Sequence, residues 1–152
     1  MKIILSLLFL LCCATSLSAQ NTEAVYDSVL ANKLGADDYG MKSYFFVILK
    51  TGPTVITDKS VRDSLFAGHL QNITRLVEAG KMIIAGLLGS NANNYRGIFI
   101  FDTQAEEDVK ELLQTDPVIS SQIMEADIYR WYGSAALPIY IDTHRMIQKI
   151  NP

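Results

Sequence analysis

Residues Ser60 to Gly80 read SVRDSLFAGHLQNITRLVEAG. Apolar side chains fall at Val61, Leu65, Ile73, Leu76 and Val77, which keeps one face of a 3.6-residue period apolar. The stretch therefore predicts one amphipathic helix. Asp58 or Ser60 can cap its N-terminus, and Ser60 with Asp63 three residues on has the spacing of a capping box. Gly80 is placed to take the left-handed conformation past the C-terminus. Gly68 sits mid-helix, at a cost of about 1 kcal/mol against alanine, so something must pack closely there.

His69 follows Leu65 by four residues and precedes Ile73 by four, so it falls on the apolar stripe. Two readings are open. One is a core-edge histidine satisfied by a hydrogen bond. The other is a general base whose properties are set by burial and by a neighbour.

The segments around this helix set the fold. Before it, Tyr44 to Lys50 (YFFVILK) is a β-branched and aromatic run that suits a strand buried on both faces or at a dimer interface. Gly52-Pro53 breaks it. After the helix come Met82 to Leu88 (MIIAGLL), the turn GSNANN and Tyr95 to Phe101 (YRGIFIF), a hairpin. Gln104 to Gln114 is a second helix, acidic in its first turn as the helix dipole favours. Met124 to Tyr132 is a fourth strand with Met124, Ala126, Ile128 and Arg130 on one side. The order β-α-β-β-α-β predicts an α+β, ferredoxin-like sandwich: an antiparallel four-stranded sheet with both helices on one face. A second copy is expected to cover the other face, making a dimeric α/β barrel.

Towards the N-terminus, Met1 and Lys2 precede an apolar run from Ile3 to Cys13 interrupted only by Ser6. The run is too short to span a membrane and has the form of a secretory signal peptide, with cleavage after Ala19. An exported protein, periplasmic or secreted, is expected, with no membrane attachment after cleavage. Cys12 and Cys13 leave with the signal, so the mature chain has no disulfide and no thiolate. Removing Lys2 from the 13 basic residues leaves 12 against 16 acidic ones, a net charge of −4. No basic patch appears, which argues against nucleic acid as a partner. Between residues 20 and 42 lies an extension with helical spacing from Glu23 to Leu34. The domain itself is placed at 43–133, and 134–152 is a tail with a short helix near His144.

Several motifs resemble the YCII-related family. They are the aromatic first strand, a helix carrying His69-Leu70, Ala85-Gly86-Leu87-Leu88, the acidic helix, Asp116-Pro117-Val118 and a last strand ending at Trp131. The resemblance runs from Tyr44 to Tyr132. It implies the dimeric barrel already reached from the strand order. It also implies a His and Asp active-site pair, here His69 and Asp116, and a small-molecule ligand, which in some similar proteins is an aromatic or lactone compound. The family usually has Ala-Gly-Pro-Leu where this chain has Ala-Gly-Leu-Leu, and the leader and both extensions are unusual for it.

Asp116 has its own two readings. Asp before Pro is what a helix start favours, and PVISSQ could be that helix. A carboxylate can also cap with one oxygen and orient an imidazole with the other, which suits proton abstraction. As substrate-binding candidates, Arg62 could meet an anionic group, Gly86 could admit a ligand to the backbone or mark a bulge, and Trp131 could line a pocket or pack. Asn72-Ile73-Thr74 matches a glycosylation sequon but falls inside the predicted helix. Two histidines 75 residues apart give no metal-ligand spacing, and no cofactor is expected. Two functional classes follow: a small cofactor-independent lyase, isomerase or hydrolase using His69 and Asp116 in a pocket between the first helix and the sheet, or a non-catalytic exported domain that binds a small ligand. A monooxygenase on the same barrel has less support, because no second histidine is placed for it.

Overall fold

A computed structural model of the chain describes residues 25–150. The expected leader at 1–19, with both cysteines, and the first residues of the expected extension lie outside the described residues. The elements run α1 (Ser28–Leu34), β1 (Met41–Thr51), α2 (Lys59–Glu78), β2 (Met82–Leu87), β3 (Tyr95–Phe101), α3 (Glu106–Gln114), α4 (Pro117–Ser120), β4 (Met124–Ser134), a 3₁₀ turn (Leu137–Ile139) and α5 (Tyr140–Ile147). The strands form one antiparallel sheet in the order β2-β3-β1-β4. This is the ferredoxin-like α+β sandwich that the element order predicts.

The strand faces separate two cores. Phe45, Val47 and Leu49 of β1, with Phe99 and Phe101 of β3, pack under Leu76 of α2 and under Val109 and Leu113 of α3. Alternation sends Tyr44 and Phe46 to the opposite face, where Tyr44 gathers with Ile83 and Ile100. Register continues the pattern: Trp131 pairs with Tyr44 and Tyr129 with Phe46, so both point away from the helices.

The chain's own tail covers part of this outer face. Leu137 and Ile141 pack on the cluster of Tyr44, Ile83 and Ile100. The Tyr140 hydroxyl donates to the Ile83 carbonyl at 2.6 Å. A second copy is thus not needed over the β2 side of the sheet. The β4 side remains open, with Tyr129 50 % and Trp131 36 % exposed.

Helix α2 starts at Asp58, whose carboxylate accepts from the Ser60 and Val61 amides at 2.8 and 3.1 Å. The Ser60–Asp63 capping box does not form, because Asp58 is the cap and Ser60 already lies in the first turn, where Asp63 pairs with Lys59. Gly80 takes φ 66° beyond the helix, and Lys81 N returns to the Leu76 carbonyl at 2.9 Å. Val61 is half exposed, so the buried stripe begins a turn later, at Leu65. In the N-terminal extension α1 buries none of its residues. It is tied to the domain through Asp37, which accepts from the Tyr39 and Met41 amides and from the Tyr132 hydroxyl.

Candidate active site

The site is built where α2 meets the start of α4. Asp116 is the N-cap of α4, in an extended conformation with Pro117 at the first helical position. Its Oδ1 accepts from the Val118 amide at 3.1 Å. Its Oδ2 lies 2.6 Å from His69 Nδ1. One oxygen thus caps the helix and the other lies within hydrogen-bond distance of the imidazole. The pair is enclosed: the His69 side chain is 10 % exposed and that of Asp116 2 %.

A carboxylate beside Nδ1 favours the tautomer protonated on that nitrogen, with Nε2 as the acceptor. Among the described residues Nε2 has no hydrogen-bond partner, and it is not sealed from solvent. The ring is held by aromatic neighbours. Phe66, three residues back on the same helix, meets it edge-on at 6.3 Å, and Phe99 of β3 lies 6.0 Å away at a tilt. An imidazole held on one nitrogen by a carboxylate, with the other nitrogen outside any hydrogen bond among the described residues, can take a proton and give it back.

Gly68 explains how α4 comes so close. A Cβ on Gly68 would stand 2.9 Å from Pro117 Cγ, so the missing side chain is what lets the α4 start rest on α2. The close packing that the mid-helix glycine demanded is Pro117.

The other candidates are not brought to this pair. Arg62 lies two turns earlier on α2, exposed, with Nη1 3.4 Å from the Ile56 carbonyl. Trp131 lies on the outer face of the sheet, away from the helices. Its ring is 5.8 Å from that of Tyr44 and rests on Gly133, where a Cβ would meet it at 2.4 Å. Gly86 is exposed, pairs with Ile98 and has open space where a side chain would go. The close backbone approach belongs to Gly97, which pairs with Leu87 and where a Cβ would be 2.7 Å from the Gly86 carbonyl oxygen.

A pocket between α2 and the sheet is expected beside His69, and three hollows stand out among the described residues. One of about 580 Å³ is lined by Ile84, Ala85, Ser134, Leu137, Tyr140 and His144. A neighbour of about 360 Å³ shares Ala85, Tyr140 and His144 and reaches Ile73 and Val77 of α2. A third, of about 410 Å³, lies beside Lys110, Ile119 and Met124. Neither His69 nor Asp116 lines any of them.

A polar group beside the pair escaped the sequence reading. Arg75 Nη2 donates to Asn72 Oδ1 at 2.7 Å and to Thr115 Oγ1 at 2.8 Å. Asn72 is 7 % exposed, so the sequon asparagine is a buried structural residue in the folded domain. Its position three residues after His69, on the same helical face, is the signal that could have linked it to the histidine.

No protein-family model matches this chain, and no curated protein matches it. Among solved structures, the chain is similar to 5-chloro-2-hydroxyhydroquinone dehydrochlorinase from Burkholderia phenoliruptrix AC1100, in complex with 2,5-dihydroxybenzoquinone. The likeness is 21% in sequence identity with a TM-score of 0.44, covering 58% of this chain and 92% of that one.

Proposed function

We propose that this protein is a small cofactor-independent enzyme of the YCII-related type, in which His69 is the general acid/base and Asp116 orients it. The carrying observation is the buried 2.6 Å contact between Nδ1 and Oδ2, on an imidazole whose Nε2 has no protein partner. In the reaction, Nε2 takes a proton from a small organic substrate, of the kind met in lyases, isomerases and hydrolases. The imidazolium that forms keeps its Nδ1 proton against Asp116, whose negative charge stabilises it. The same nitrogen then returns the proton to product or leaving group. The chain works as an exported homodimer, with the open β4 side of the sheet against a second copy.

The non-catalytic reading is favoured by a different observation. The hollow of about 580 Å³ lies at the C-terminal segment, away from His69. A binding domain would hold its ligand there and leave it unchanged.

One experiment separates the two. The mature protein and a His69→Ala variant are incubated with a panel of small phenols, lactones and carbonyl acids, and products are read by mass spectrometry. The enzyme reading predicts turnover that falls by about 10²–10⁴-fold in the variant. Full activity in His69→Ala would rule it out. A ligand retained by both proteins at unchanged mass would favour the binding domain.

A further inference from the structure

Three contacts join α2 to the segment that carries Asp116, and they run in register. Gly68 meets Pro117, His69 meets Asp116, and Asn72 with Arg75 meets Thr115. As the chain advances along α2, its partners step backwards from 117 to 116 to 115. The acid/base pair is thus the middle rung of a seam, held by a steric contact on one side and by hydrogen bonds on the other.

The polar rung is specific. Both Nη2 protons of Arg75 are used, one on Asn72 and one on Thr115. The Thr115 hydroxyl has one proton, and the Leu112 carbonyl at 2.6 Å takes it, with Asn72 Oδ1 at 3.0 Å as a second acceptor. This ties Thr115 to the last turn of α3 and to α2 at the same time. Asp116 is the next residue, and its own amide donates to the Leu113 carbonyl at 3.0 Å. Little freedom remains for the carboxylate to drift from His69.

We infer that Gly68 and the Arg75–Asn72–Thr115 group are positioning residues that hold Asp116 against His69 Nδ1. The inference rests on the reading of His69 and Asp116 as an oriented acid/base pair. If either outer rung gives way, the Nδ1–Oδ2 contact lengthens, and the tautomer protonated on Nε2 gains population. A base protonated on Nε2 cannot accept there.

The test reads the His69 tautomer ratio from side-chain ¹⁵N NMR on the folded protein, beside the thermal midpoint. Thr115→Val removes the hydroxyl at nearly constant volume. Thr115→Ser keeps it and serves as the rescue. Gly68→Ala acts on the other rung and raises helix propensity, so it is not simply a destabilising change. In both Thr115→Val and Gly68→Ala, the ratio of Nδ1-protonated to Nε2-protonated His69 is expected to fall about fivefold, the size of effect that one ordinary hydrogen bond carries. Thr115→Ser is expected to restore it. A purely structural seam would move the midpoint and leave the ratio alone, and that result in either folded variant would overturn the inference.

Asp116→Asn is the control for the underlying reading. An unchanged ratio there would overturn the pairing itself, and the positioning role with it. A changed ratio there, with none in Thr115→Val or Gly68→Ala, would overturn the positioning role alone.

Discussion

Asp116 Oδ2 lies 2.6 Å from His69 Nδ1 while Oδ1 of the same carboxylate caps the Val118 amide at 3.1 Å. One side chain thus starts a helix and lies within hydrogen-bond distance of an imidazole. The cap fixes where the carboxylate points, and α2 fixes where the imidazole is. The two roles can be separated by substitution.

Asp116→Asn keeps an oxygen for the Val118 amide but loses the charge-assisted bond to His69. It should lower stability by about 1.5–3 kcal/mol. Asp116→Ala loses the cap as well, for about 1 kcal/mol more. Urea unfolding of the two variants checks the order. Equal stability in both would show that the cap contributes nothing.

The open side of the outer face makes the assembly testable. Tyr129, Trp131 and the half-buried Phe46, Ile48 and Ile98 occupy it, with the Lys50–Asp127 ion pair beside them. The mature protein should sediment as a dimer at micromolar concentration. Tyr129→Glu places a charge in the interface once per copy and should weaken the dimer by about 3–5 kcal/mol, enough to give monomer. A wild-type monomer at that concentration would exclude the barrel.

Tyr44 gives a pH dependence. It is fully buried, and its hydroxyl donates to the Ser134 carbonyl at 2.9 Å. Burial, with the Asp102 charge adding to it, pushes the phenol up to about 12 from an ordinary value of 10. The folded state therefore keeps a proton that the unfolded chain releases first, and stability falls as pH rises from about 10 to about 12. Tyr44→Phe should be flatter over that window in chemical denaturation. Parallel curves for the two proteins would contradict the assignment.

The C-terminal segment should behave as part of the fold. Tyr140→Phe removes the bond to the Ile83 carbonyl and should cost about 1 kcal/mol. Ending the chain after Ala136 removes Leu137 and Ile141 from the cluster of Tyr44, Ile83 and Ile100, and should cost more. Thermal unfolding measures both. A midpoint unchanged by the truncation would mean that the tail merely lies on the surface.

Periodicity made the framework legible. The apolar spacing from Leu65 to Val77 marks α2, and Tyr95–Phe101 begins and ends where its composition says. Strand ends were harder. Met41 to Ser43 joins β1 because Tyr132 to Ser134 of β4 lies opposite to pair with it, and a partner strand is invisible in a local window. Which face a residue takes is also non-local. Trp131 reads as a pocket residue until its register with Tyr44 places it on the far side of the sheet.

The contact of His69 with Asp116, 47 residues apart, was suggested by motif and by chemistry, not by any period. Asn72 was hidden differently. Its bond from Arg75 is an i,i+3 pair within α2, but its place beside Thr115 depends on how α2 and the end of α3 pack. The covering of the outer face by the tail could not be read either: Leu137, Tyr140 and Ile141 have helical apolar spacing, but no local pattern says which face of the sheet they meet.

The most direct measurement is the protonation pattern of the His69 ring in the wild-type mature protein, read from long-range ¹H–¹⁵N correlations with the ring neutral. Orientation by Asp116 predicts that the proton resides on Nδ1 and that Nε2 shows the shift of an unprotonated nitrogen. A ring protonated mainly on Nε2 would contradict it, leaving Asp116 as a helix cap and His69 without a free basic nitrogen.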